Sequence, residues 1–151
     1  MASQRLSIYV PDHLWSAIDL PDRDQRREGL SARIAAIVDR YELIVQRSCP
    51  QFRRAEWMVL LDACNGWAAW SEAGHSLMVG LAHEVADYCR LSPPTEKWEI
   101  PVARQEALVQ RLASLAPHEL MAVLERVERF WRRSQMDTDQ AMAEAGIEPT
   151  D

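Results

Sequence analysis

Five residues whose chemistry could be put to use stand in the middle of the chain: Cys64, His75, His83, Asp87 and Cys89. His83 and Asp87 are one helical turn apart, so on a helix they share a face and could hold a divalent cation with a thiolate. The tight Cys-x-x-Cys or His-Glu-x-x-His spacing that organises zinc is missing, and the expectation is no metal and no cofactor. Catalysis has no better footing. The five glycines are scattered singly, so no phosphate-cradling loop exists, and no Ser/His/Asp or Cys/His pattern has informative spacing. Glu84 with Asp87 reads as a solvated helix face. The expectation is no catalytic residue and no enzyme. Three cysteines, Cys49, Cys64 and Cys89, are an odd number that suits reduced, buried thiols in the cytoplasm.

A second group lies near the start, in Arg5-Leu-Ser-Ile-Tyr-Val-Pro11-Asp-His-Leu-Trp15. Side chains alternate across an extended strand, which puts Arg5, Ser7 and Tyr9 on one face and Leu6, Ile8 and Val10 on the other. Pro11 ends the strand, and Asp12 suits the positive end of a helix beginning there. Leu14, Ala17 and Ile18 give this first helix an apolar side, and Pro21 stops it after about two turns. A second helix is expected to open at Gly29-Leu30-Ser31, with the Ser31 hydroxyl accepting from a first-turn amide. It runs to about Arg47 with an apolar stripe at Ile34, Ile37, Val38, Tyr41, Leu43 or Ile44, and Val45. The lone strand has no partner elsewhere in the chain, and unpaired strand edges are costly when buried. The simplest partner is the same strand of a second copy, paired antiparallel over a dimer core of Leu6, Ile8, Val10, Leu14, Ile18, Ile34, Ile37, Val38 and Tyr41.

The segments "RLSIYVPDHLWSAI" and "GLSARIAAIVDRY" resemble the ribbon-helix-helix family of bacterial, plasmid and phage DNA-binding proteins. The resemblance covers roughly residues 3–47. It implies that Arg5, Ser7 and Tyr9 enter the major groove and that the amides at Ser31, Ala32 and Arg33 clamp a backbone phosphate. Each role has its own physical basis. A two-stranded ribbon fits the major groove, arginine bonds bidentately to guanine, and the start of a helix favours phosphate. The segment between the helices departs from the pattern, being long and carrying Asp22, Asp24 and Glu28, with Arg23, Arg26, Arg27 and Arg33 to offset them.

Charge is divided along the chain in the same sense. The net charge is −6, yet residues 1–54 hold nine Arg against seven acidic groups, and residues 55–151 hold eight basic groups against sixteen acidic ones. Only the head would attract a polyanion; the body would be repelled.

Beyond Pro50 the alternation disappears and helical periodicity takes over. Helices are expected at about Arg53–Asn65, with Trp57, Leu60, Leu61 and Cys64 on one face; at His75–Leu91, with Leu77, Leu81, Val85 and Tyr88 or Cys89 inward; at Val102–Leu115; and at Pro117–Arg133, with Leu120, Val123, Leu124, Val127, Phe130 and Trp131 in a stripe. The paired prolines of "SPPTEKWEIP" make a linker or surface loop. A short helix at Asp139–Ala145 stops at Gly146, and the last dozen residues are expected to be loose. Of the six tryptophans, most read as core, while Trp67, Trp70 and Trp98 are the candidate anchors for a protein partner.

The expected fold is mainly α: an N-terminal ribbon-helix-helix, with one short strand pairing with a second copy and two helices, plus a C-terminal all-helical domain. The division is 1–48 for dimerisation and DNA binding, 52–136 for oligomerisation or partner binding, and 137–151 as an acidic, partly flexible tail. The expected partners are double-stranded DNA, the chain itself as a homodimer or higher oligomer, and a second protein at the C-terminal domain, with no membrane. The function these expectations describe is a homodimeric transcriptional regulator, a repressor. The alternatives are an antitoxin or plasmid-transfer accessory protein, and a protein-binding inhibitor whose head only dimerises.

Overall fold

The computed structural model describes residues 25–65, 70–91, 100–133 and 135–151. Among them are six helices: α1 (Gln25–Ser48), α2 (Arg54–Ala63), α3 (Trp70–Leu91), α4 (Val102–Ala113), α5 (Pro117–Trp131) and α6 (Thr138–Glu144). The fold is mainly α. Strand pairing among the described residues is limited to one parallel bridge, Arg53 with Thr150. No helix of the described residues is long and apolar enough to cross a membrane. The chain divides into two compact units, Met1–Leu43 and Ile44–Asp151, and the division falls inside α1.

In the first unit the described part is the greater length of α1. This helix begins at Gln25, six residues ahead of the expected start at Ser31. The run Gln25-Arg-Arg-Glu consists of good helix formers, and extending the helix through them outweighs the roughly 1 kcal/mol that Gly29 costs inside it. The local capping signal at Ser31 is therefore not used as a helix start.

The second unit is built around α2. Trp57, Met58, Val59, Leu60, Leu61 and Ala63 are all buried, so this helix is apolar nearly all round and occupies the centre. It packs on α3 and α5, while α3 also packs on α4 and α5. Leu77, Leu81 and Val85, at intervals of four, turn inward from α3, and Leu108 and Leu112 do so from α4. Ala122, Val123, Leu124, Val127 and Phe130 supply the buried face of α5. Helix α5 starts where its sequence indicates: Pro117 occupies the first turn, and the Glu119 carboxylate accepts from the Ala116 N–H at 2.8 Å.

Residues 137–151, expected as an acidic and partly flexible tail, are instead built into the core. Ala141, Met142, Ala145 and Ile147 are buried. The Asp137 carboxylate caps α6, accepting from Asp139 N–H at 2.9 Å and Gln140 N–H at 3.4 Å. The helix closes in a Schellman turn, in which Gly146 takes φ +75°, its N–H donates to Ala143 O at 3.0 Å, and the Ile147 N–H donates to Met142 O at 2.9 Å. Beyond the turn, Thr150 N–H donates to Phe52 O at 3.0 Å. Arg54 pairs with Asp139, and Arg133 with Glu144 at 3.2 Å. Two acidic groups of this segment, Asp139 and Glu144, thus have arginine partners on the body, while Ala143 and Glu148 stay exposed.

Candidate functional site

Arg5, Ser7 and Tyr9, the expected groove readers, lie outside the described residues, as do Leu6, Ile8, Val10, Leu14 and Ile18 of the expected dimer core. Trp67 and Trp98 also lie outside them, and Trp70 is the first residue of α3. The described part of the expected site lies on α1.

Ser31 and Ala32 are exposed on α1 and Arg33 is half-buried. All three lie beyond the first turn, where backbone amides are already committed to carbonyls four residues back. The amides at Ser31, Ala32 and Arg33 are therefore taken up within the helix, and the uncommitted amides of α1 are those of its first turn, Gln25 to Glu28. Further along, Ile37, Val38 and Tyr41 stand three, four and seven residues after Ile34 and so share a face with it. Ile34 and Tyr41 are half-buried, whereas Ile37 is 37% exposed and Val38 50%. Leu43 and Ile44 are also exposed, while Val45, one helical turn beyond Tyr41 and within the second unit, is fully buried. The apolar stripe of α1 thus has a covered end and an uncovered stretch.

Cys64 is fully buried, and Cys89 is half-buried near the end of α3. His83 projects from α3 into solvent, where Nε2 lies 3.3 Å from Asp87 Oδ2, and Arg90 shares the same carboxylate at 2.9 Å. Among the described residues no three His, Cys, Asp or Glu side chains converge. Trp57 is buried in the core, and the half-buried Trp131 packs against that core and donates from Nε1 to Leu61 O at 3.1 Å.

Two groups in this core make its stability depend on alkaline pH. Burial, followed by the Glu84 charge, pushes the Cys64 thiol from 9.0 to about 12. Burial also raises the Tyr88 phenol to about 12, helped by the charge of Asp62, whose Oδ2 accepts the phenol's hydrogen bond at 3.2 Å. Both folded-state values lie above the unfolded ones, so the unfolded chain ionises first. Their contribution is complete below about pH 9 and is lost as pH rises towards 12. Thermal melts followed by circular dichroism between pH 8 and pH 11 are expected to fall steadily above pH 9. A Cys64→Ala variant should show a shallower fall; an unchanged slope would remove Cys64 from the account.

One residue that sequence reading overlooked is Arg126. It sits in α5 between Leu124 and Val127 with 9% of its surface exposed. Nε donates to Gly146 O at 2.9 Å, and Nη1 donates to Val45 O at 2.8 Å and Ala122 O at 3.2 Å. Val45 O belongs to the last turn of α1, where helix carbonyls lack intrahelical donors and the dipole is negative. The guanidinium therefore caps α1 and ties the α6 turn to it. The only hint in the sequence is a charge beside the α5 stripe, which by itself reads as an ordinary solvated arginine.

Set against known proteins, the chain matches no family model, no curated protein and no solved structure.

Proposed function

We propose that this chain is a homodimeric DNA-binding transcriptional regulator, a repressor that reads the major groove with an intermolecular β-ribbon. The observation that carries the reading is the uncovered stretch of α1, where Ile37 and Val38 remain in solvent on a helix otherwise patterned for burial. A second copy whose own α1 packs against this face would cover it, and the two "RLSIYV" segments would then pair as the sequence pattern requires. Arg5 and Tyr9 make the base contacts, Ser7 adds a hydrogen bond, and the first turn of α1 with Arg26 and Arg27 meets the phosphate backbone. Repression follows from occlusion of a promoter by dimers on adjacent half-sites.

The test is binding of the purified protein to its own upstream DNA against a scrambled duplex, at two salt concentrations, beside the Arg5→Ala, Tyr9→Ala double variant. Preferential binding that weakens steeply with salt is expected, with at least about a hundredfold loss in the double variant, because a good base contact is worth about 1–3 kcal/mol. Equal binding of both duplexes by both proteins would defeat the reading.

A second reading has its own observation. Val79 on α3 is 83% exposed, and Leu91 and Val102 are exposed on either side of the 92–99 connection. These aliphatic side chains suit a protein-binding body, as in an antitoxin, a plasmid-transfer accessory protein or an inhibitor whose head only dimerises. Activity that survives the double variant would favour it.

A further inference from the structure

Arg126 lines a cavity of about 290 Å³ in the second unit, together with Gln46, Cys49, Gln51, Trp57 and Glu148. Its three protein partners are neutral carbonyls, and among the described residues no carboxylate lies within ion-pair distance of it. Nη2, the remaining nitrogen, makes no hydrogen bond with the described residues. A guanidinium offers five N–H donors, and a buried charge without a counter-charge is costly, so this group is suited to an anion supplied from outside. Cys49 does not supply one: burial keeps its thiol above the usual range even against the lowering effect of the Arg126 charge, and it remains a neutral wall.

Glu148 is exposed and lines the same cavity, yet it is not paired with Arg126 or with any other described cation. The cavity thus holds one buried positive charge and one negative charge nearer solvent, which are not in ion-pair contact with each other. A ligand carrying only negative charge would satisfy the first and be repelled by the second. A ligand with both signs satisfies both, and the amides of Gln46 and Gln51 can add hydrogen bonds to its polar atoms. The volume is near the lower end of the range for small-molecule sites, roughly 300–1,000 Å³, which suits an amino acid and is tight for a nucleotide.

We infer that this cavity binds a small zwitterion of the amino-acid kind, with its carboxylate on Arg126 and its ammonium on Glu148. The site lies wholly within the second unit, and its existence does not depend on the head binding DNA.

Isothermal titration calorimetry of the full chain tests this directly. The probes are the common L-amino acids in turn, acetate and inorganic phosphate as anions without an ammonium, and ethanolamine as a cation without a carboxylate. At least one amino acid is expected to bind more tightly than acetate, phosphate and ethanolamine. Glu148→Gln should weaken that binding by about threefold to fivefold, the scale of an exposed ion pair. Arg126→Lys keeps the charge but loses the planar fork, and should weaken binding by at least about tenfold. Because Arg126 also ties three carbonyls, circular dichroism must show that this variant is folded; if it is not, Glu148→Gln, at an exposed position, carries the test. Absence of binding by every amino acid up to about 10 mM would overturn the inference. Acetate or phosphate binding as tightly as the best amino acid, or a Glu148→Gln variant of unchanged affinity, would overturn it equally.

Discussion

Replacing Ile37 and Val38 together by Asp is expected to convert the protein from dimer to monomer while its body stays folded. Both side chains are substantially exposed in the single chain, so the substitution removes little from its own core. In a dimer they would be buried, and full burial of an aliphatic side chain contributes about 1.5–3 kcal/mol. Each side chain is already at least half-buried in the single chain and has about half of that to gain, so four of them across the two copies amount to roughly 3–6 kcal/mol, about a thousandfold in the dimer dissociation constant, and the facing carboxylates add repulsion. DNA binding should fall at least as far, because a monomer has no ribbon. Sedimentation equilibrium checks the first expectation, with far-UV circular dichroism to confirm that helix content is retained. A variant with the same mass as the wild type, or a wild type that is itself monomeric, would show that the exposed stretch of α1 is not the dimer face. Within the helix the price of aspartate is small, at most about 0.7 kcal/mol per residue.

The second large effect is expected in the body. Trp57→Ala removes the largest fully buried side chain from the central helix. Its ring meets that of Phe52 edge to face at 5.3 Å between centroids, and the Arg111 guanidinium lies 4.6 Å from the other partner's ring centre, that of Phe52. Truncating a buried tryptophan costs about 3–5 kcal/mol, and loss of the aromatic pair adds to it. Domains of this size are stable by only about 5–15 kcal/mol, so the variant should melt at least about 10 °C lower. Trp57→Phe retains an aromatic ring and should lose less than the alanine variant. A drop of only a degree or two for Trp57→Ala would mean that α2 is not the centre of the core.

Much of the body could be read from local pattern. The stripe Leu120, Val123, Leu124, Val127 and Phe130 has helical period, and α5 begins at Pro117 with Glu119 turned back to the Ala116 amide, all of it within a few residues. Helix α4 likewise begins at Val102, directly after Pro101. Boundaries set by competing local signals were less legible. Ser31 has the chemistry of a helix cap, but the helix formers ahead of it extend α1 to Gln25, and the cap loses to the longer helix.

For the head, the alternation of Arg5, Ser7 and Tyr9 against Leu6, Ile8 and Val10 remains a property of the sequence, and the groove-reading role proposed for it draws on that pattern as the dimer draws on the uncovered stretch of α1. Sequence alone determined which segments of the body are helical and which face of most of them is apolar, because both follow from neighbours one turn apart. Tertiary structure alone decided the rest. It buried α2 on nearly every side, although one face would have sufficed for a surface helix. It drew the acidic 137–151 segment against the body, where Met142, Ala145 and Ile147 join the buried cluster that includes Phe52, Trp57 and Leu60. It also turned Arg126 from an ordinary helix arginine into a buried charge, through a carbonyl 81 residues before it and another 20 residues after it. Contacts over such separations depend on which surfaces meet, and helical periodicity carries no record of that.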